Sequence, residues 1–294
     1  MEQQILTPPG GPTFETIRRN NMVYVDKTEY LTYLMENSRR KLYIDRPDGF
    51  GKSLLMSTLE ALFSGRKDLF KGLAVENKLD DKLFAPRPVI RMDMNSLNAD
   101  QGYDLFENSL KEATFLAEES LGIEPKERHS AGYVFKELLR ECFRQYKVKP
   151  AILIDGYDAP VIKNLDKPDV SRSIANKLQY YYLMIERSEQ YYSFIFMTGV
   201  GVRAHERCFS DDTYFCDETR YGHLGAIGGF TLEEITKYFS ARIEKMAFFR
   251  KITDKQLLEG LKSYSGVFNF DKETEVYNPY LTLKYLNFRD GVDW

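Results

Sequence analysis

The chain has 294 residues, with 41 Lys and Arg against 44 Asp and Glu for a formal net charge of −3. A length of this order holds one large or two modest domains with an ample core, and 43% hydrophobic with 29% charged residues excludes the disordered and membrane-embedded classes. The charge balance gives no global pull toward nucleic acid; three cysteines, no signal-like leader in MEQQILTPPG and no bilayer-length apolar run point to free thiols, a cytoplasmic setting and no membrane partner.

Residues 1–13, with Pro8-Pro9-Gly10-Gly11-Pro12, read as an irregular lead-in. Phe14 to Ile17 opens a helical turn, and Met22 to Val25 has the pattern of a short strand. Asp26-Lys27-Thr28 then caps a helix carrying Tyr30, Leu31, Leu34 and Met35. Arg39-Arg40-Lys41 is the densest basic cluster and reads as a solvated helix end.

The stretch KLYIDRPDGFGKSLL, Lys41 to Leu55, organises the rest. Leu42, Tyr43 and Ile44 form a strand, a Gly-containing turn follows, and Gly51-Lys52-Ser53 stands at the head of a helix whose Leu54, Leu55, Leu59, Leu62 and Phe63 recur at helical spacing. Such a turn leaves backbone N–H groups pointing one way at the positive end of a helix, which makes a nest for an anion. Asp48, Gly49, Phe50, Gly51, Lys52, Ser53 and Leu54 are therefore the expected phosphate-binding residues, Lys52 supplying charge and Ser53 a hydroxyl for Mg²⁺. The pattern G-x-x-x-x-G-K-[ST] asks for glycine where this chain has Arg46.

A second strand spans 87–94 and ends in Asp93 and Asn95, and helices follow over 103–120 and 130–146, the second placing Cys142 on its apolar stripe. Pro150 to Asp155 is a continuous apolar run ending in a carboxylate, well placed to meet a metal ion held by Ser53. Runs over 193–198 and 224–227 bring the strands to five, and their alternation with helices predicts a parallel sheet covered on both faces. From Thr231 the texture becomes helical: helices over 231–246 and 253–264, a hairpin near 267–278 and a last helix over 280–286 predict a small lid.

The segments FETIRRNNMVYVDKTEYLTYLM, RPDGFGKSLLMSTLEALFSGRKDLFKGLAVE, LIDGYDAPV, FIFMTGV and GGFTLEEI, in that order, resemble the bacterial AAA-ATPase-like family of P-loop proteins. The resemblance covers about 14–235. It implies a P-loop NTPase-type α/β fold: a nucleotide-binding domain over 14–230 with a five-stranded parallel sheet, then a helical lid and truncated C-terminal segment over 231–294. It also implies ATP and Mg²⁺ as ligands, with Lys52 on the β/γ-phosphates, Ser53 and Asp155 on the metal, and Thr198 as a polar sensor on a strand lying between those of the phosphate loop and Asp155.

Three departures qualify what is carried over. Asp48 and Gly49 stand where the family usually has two arginines, and Gly156 stands where it usually has the glutamate that orders the attacking water. The PD-(D/E)xK nuclease-like domain that often follows has no counterpart among these residues, so DNA cleavage is not expected. The leading expectation is a Mg·ATP-binding module impaired in hydrolysis, with position 156 facing the γ-phosphate and Asp158 the candidate substitute base. The alternatives are a scaffold that works through a protein partner on its lid, and an ATPase acting on nucleic acid.

His205, Cys208, Cys216 and His223 form a set that zinc accepts, but their irregular spacing favours a polar loop near the nucleotide and no stoichiometric zinc. Arg203, Arg207 and Arg220 in that loop are candidates to reach a γ-phosphate.

Overall fold

Ala151–Asp155 is buried at every position, and so is Phe194–Gly199. Strands with no solvent face belong in the middle of a sheet that helices cover on both sides. The structure, a computed structural model, describes residues 6–36, 40–78, 84–99, 103–125, 130–201, 205–220 and 222–287. It puts both of those strands at the centre.

The chain begins with α1 (Phe14–Arg19), α2 (Glu29–Glu36), β1 (Lys41–Asp45), α3 (Lys52–Phe63) and β2 (Val89–Asp93). Then come α4 (Tyr103–Ser120), α5 (Ala131–Tyr146), β3 (Ala151–Asp155), α6 (Ala159–Ile162), α7 (Pro168–Glu186) and β4 (Phe194–Gly199). After α8 (His205–Cys208) and β5 (Cys216–Asp217), the C-terminal part holds α9 (Leu232–Arg250), α10 (Asp254–Ser265), the hairpin β6 (Val267–Asn269) and β7 (Glu275–Tyr277), and α11 (Pro279–Asn287).

The five-stranded sheet has the order β2-β3-β4-β1-β5 with every neighbouring pair parallel. The fold is thus the expected α/β class, and β4 lies between the phosphate-loop strand and the Asp155 strand. Successive side chains of a strand face opposite ways. Along β3, Ala151 and Leu153 pack with Leu55, Leu59 and Phe63 of α3, while Ile152 and Ile154 pack with Phe106, Phe135, Leu138 and Leu178 of α4, α5 and α7.

Two expected strands are corrected. Residues 224–227 are a turn, led by a short 3₁₀ segment Gly222–Leu224, and the place beside β1 is taken by Cys216–Asp217. Leu224, Ala226 and Ile227 are buried, and a short buried apolar run has the same sequence signature whether it is strand or turn. Met22 to Val25 is extended but joins no strand of the sheet, because Val23 and Val25 bury their side chains against the C-terminal helices.

Those helices have a core of their own, built from Ile235, Phe239 and Ile243 of α9, Leu257 and Leu261 of α10, and Leu283 and Leu286 of α11. Thr231 and Glu234 form a reciprocal capping box at the start of α9. The same Glu234 carboxylate receives Lys27 Nζ at 2.6 and 2.7 Å, which ties the helical lid to the lead into α2. Burial pulls the Lys27 ammonium down, and Glu234 opposes that pull.

A largely buried ammonium that loses its partner costs several kcal/mol. Glu234→Gln keeps the capping acceptor and removes the charge, so it is expected to lower unfolding free energy by about 2–3 kcal/mol. Glu234→Ala, which also removes the cap, is expected to cost about 1 kcal/mol more. Urea unfolding midpoints of the two variants check both figures.

Candidate functional site

At the end of β1 the chain passes through Arg46 to Phe50, and Gly51, with left-handed backbone (φ 72°), caps α3 without a side-chain acceptor. The first backbone bond into the helix runs from Leu55 N–H to the Gly51 carbonyl at 2.9 Å. The N–H groups from Gly49 to Leu54 make no hydrogen bond to any described residue. Six consecutive donors at the positive end of a helix are an arrangement suited to an anion.

The side chains of this loop divide into anchors and site groups. Arg46 is fully buried; its Nη1 donates to the carbonyls of Asp45 and Thr219 at 2.8 Å, its Nη2 to that of Leu224 at 2.9 Å, and its guanidinium lies 4.2 Å from the Phe270 ring. Burial pulls it down to about 10, which leaves it cationic at neutral pH. Phe50 is equally buried, with ring centroids of Phe268 and Phe270 at 5.0 and 5.3 Å. Asn278 Nδ2 donates to the Asp48 carbonyl at 2.9 Å, and Tyr280 N–H to that of Gly49 at 3.1 Å. A Cβ on Gly49 would lie 2.6 Å from Asn278 Oδ1, so the approach of α11 requires a glycine there.

Lys52 Nζ donates to the carbonyls of Arg46 (2.7 Å) and Pro47 (3.1 Å) and pairs with Asp48 Oδ1 at 3.3 Å. The Asp48 side chain is 93% exposed against 11% for Lys52, so the aspartate sits over the lysine from the solvent side. Ser53 is exposed at the head of α3.

Lys52, Ser53 and Asp155 line one cavity of about 890 Å³. Asp48 to Leu55, Arg91, Asp93 and Asn95 line it too, as do the lead-in residues Thr7, Pro8 and Gly10 to Thr13 and the segment Asn278 to Leu281. The lead-in segment is thus a wall of the site, and Lys27, Arg91, Asp93 and Asn95 are lining residues that the sequence reading did not assign to it. Only Asp93 and Asn95 left a signal, as polar residues ending an apolar strand.

Asp155 ends β3 in register with Thr198 on one side and Asp93 on the other. The Thr198 hydroxyl donates to Asp155 Oδ1 at 2.9 Å, and Asp155 Oδ2 makes no hydrogen bond to a described residue. A serine hydroxyl and a carboxylate oxygen facing one cavity are the hard donors that Mg²⁺ takes while keeping most of its waters, so this donor set fits that ion.

Asp158 is placed elsewhere. It is fully buried, does not line the cavity, and accepts the N–H groups of Val200 (3.0 Å) and Gly201 (2.9 Å). Burial raises its carboxyl, opposed by those two bonds. Beside it Asp45 is 7% exposed, with Tyr157 donating to Oδ2 at 3.3 Å and Oδ1 buried without a partner. Burial first, then the charge of Asp158, pushes the Asp45 carboxyl up to about 7; Asp217 adds to this, while Tyr157 and Arg46 oppose it.

Gly156 has φ 71°, and a Cβ there would lie 2.6 Å from Asn95 Nδ2 and 2.7 Å from Asn95 Cγ. The seat expected for a side chain facing the γ-phosphate is therefore taken by Asn95.

Arg203 lies outside the described residues; Arg207 and Arg220 are exposed and absent from the described cavity lining. Cys208 is buried in the core with Tyr157 and Tyr182, Cys216 sits on β5, and the His223 ring lies tilted against that of Tyr33 with centroids 5.7 Å apart. Among the described residues no group of three or more His, Cys, Asp or Glu is arranged to hold a metal ion. No helix of the described residues is long and apolar enough to cross a membrane.

A parallel sheet in this strand order, with unpartnered N–H groups and a lysine at the head of the helix after β1, is the architecture of the P-loop class. Within that class the chain belongs to the AAA-ATPase-like family, described as "Predicted AAA-ATPase", whose model matches residues 8–209. Membership of that family points to nucleotide binding. A protein of Azotobacter chroococcum mcd 1, described as an uncharacterized protein in the vnfD 5′ region, is 28% identical over 274 residues. The match covers 93% of this chain and 50% of that protein, so the chain spans about half the length of the relative. No solved structure matches.

Two outcomes follow from the buried groups. An acid whose folded value lies above its unfolded value of about 3.9 binds its proton more tightly when folded, so its contribution is full below that value and is lost as pH rises to about 7. Stability is expected to fall between pH 5 and 8 by on the order of 2 kcal/mol, and Asp45→Asn to flatten that dependence; unfolding midpoints across the range measure it. Gly156→Ala is expected to cost about 2 kcal/mol through backbone strain and the Asn95 contact. Gly156→Glu is expected to cost more and to bring no gain in turnover, as steady-state ATPase assays will show.

Proposed function

We propose that the chain is a Mg·ATP-binding module that hydrolyses ATP slowly. The observation that carries this reading is the single cavity lined by Gly49 to Leu54, whose six backbone N–H groups make no hydrogen bond to a described residue, and by Asp155, with Lys52 and Ser53 within that run. Phosphate oxygens take the N–H row, and Lys52 leaves the carbonyls of Arg46 and Pro47 for the β/γ-phosphates. Ser53 and Asp155 are the residues that would hold Mg²⁺, with Thr198 fixing one Asp155 oxygen. The ion, when bound, neutralises charge on the phosphates. Slow hydrolysis follows from Gly156, which carries no carboxylate, and from Asp158, which is buried away from the cavity. With no carboxylate on the cavity from either position, any base must come from elsewhere on the cavity wall and be less directly placed, and general-base catalysis as a whole accounts for about 10² to 10⁴ in rate.

A second reading, a protein partner on the lid, is supported by Phe248 and Phe249, which lie side by side near the end of α9, 80% and 57% exposed. Nucleotide binding separates the two.

Calorimetry is expected to give a Kd for Mg·ATP between micromolar and millimolar, about −4 to −8 kcal/mol. Lys52→Ala should weaken it about 10- to 100-fold, the loss of a charge-assisted contact. Asp48→Ala should tighten it, by at most about fivefold for so exposed a charge. No heat at millimolar Mg·ATP would refute the nucleotide reading and leave the lid partner.

A further inference from the structure

Three described carboxylates line the cavity: Asp48, Asp93 and Asp155. Asp48 is paired with Lys52, and Asp155, which lines the cavity with Ser53, is bonded to Thr198 through one oxygen. Asp93 differs from both. It is exposed at the carboxyl end of β2, in register with Asp155 on the adjacent strand. Its Oδ1 accepts the backbone N–H and the side-chain Nδ2 of Asn95, both at 3.0 Å. Its Oδ2 makes no hydrogen bond to a described residue.

Asn95 does more than brace that carboxylate. The same Nδ2 reaches the Asp155 carbonyl at 3.4 Å, and the amide fills the space over Gly156 where a glutamate side chain would begin. A side chain from β2 therefore stands at the place left empty on β3, and it holds a carboxylate with one free oxygen.

Resting on the Mg·ATP reading, we propose that Asp93 is the catalytic acid-base group of this site and that Asn95 is its positioning residue. The oxygen of a water attacks the γ-phosphorus, and a new P–O bond forms as the bond from that phosphorus to the β–γ bridging oxygen breaks, the electron pair leaving with ADP. The proton of the water passes to Asp93 Oδ2 and from there to solvent, to which Asp93 is open. The net change is ATP and water to ADP, phosphate and a proton.

Asp93 also caps the 3₁₀ turn Met94–Ser96, and a purely structural role must be told apart from a chemical one. Asparagine and serine both cap such turns but cannot take up the proton. Asp93→Asn and Asp93→Ser are therefore each compared with the wild type in unfolding midpoint, in Kd for Mg·ATP by calorimetry, and in kcat at saturating ATP. The expected result is an unchanged midpoint, a Kd within about threefold and a kcat lower by about 10². Asn95→Ala should lower kcat by about tenfold at an unchanged Kd, as a misplaced base would.

Wild-type binding and turnover with no change in kcat for either Asp93 variant would overturn the assignment. So would wild-type binding without turnover above background, and both results leave the nucleotide reading standing. A wild type that binds no Mg·ATP removes that reading and this assignment together.

Discussion

Six adjacent backbone N–H groups, from Gly49 to Leu54, without a partner among the described residues are the constraint on which the rest of this structure depends. A chain holds such a row open only if the loop that carries it is fixed by something other than its own donors. Here the fixing comes from three directions. Arg46 binds the carbonyls of Thr219 and Leu224, Phe50 is set among the hairpin rings Phe268 and Phe270, and Asn278 and Tyr280 bind the carbonyls of Asp48 and Gly49. Arginine in place of the first glycine of the usual phosphate-loop pattern is thus an anchor. Its charge is spent on carbonyls and on an aromatic face.

The carboxyl edge of the sheet gathers acids for a related reason. A parallel ladder in register puts the last residues of β1 to β4 in one layer, so Asp45, Asp93, Asp155, Thr198 and Gly199 come together there. Like charges at short range raise one another's affinity for protons, and the structure separates them by environment. Asp155 has a hydroxyl donor, Asp158 has two backbone N–H groups, and Asp93 is open to solvent. Asp45 has one weak hydroxyl contact and one oxygen with nothing, and it is the one pushed up to about 7.

Much of this was legible in the chain itself because the signals were local. The strand before Gly51-Lys52-Ser53, the helix after it, the apolar run ending in Asp155 and the capping box at Thr231 each rest on a few neighbouring residues, and each is found where those residues put it. The failures share the opposite character. Residues 224–227 read as a strand because burial and apolarity are all that a short run reveals; the carbonyl that Arg46 claims at Leu224 lies 178 positions away in sequence. Asp158 read as a spare base because spacing from Asp155 says nothing about Val200 and Gly201, whose N–H groups hold it. Residues 1–13 read as an irregular lead-in because nothing in Pro8-Pro9-Gly10-Gly11-Pro12 shows that the chain returns as α11, whose Tyr280 packs against Gly10 and lines the same cavity.

That return joins site and lid into one mechanical unit. The bonds from Asn278 and Tyr280 end on the carbonyls of Asp48 and Gly49, so the loop that carries the N–H row and the start of α11 are held to each other. Lys27, which also lines the cavity, is tied to α9 through Glu234. Both links run through polar groups that are partly or wholly buried, where a changed partner costs more than it would in water. The loop that carries the N–H row and the C-terminal helices are therefore joined through short polar bonds at two separate points, Asn278 and Tyr280 on the loop carbonyls and Glu234 on Lys27.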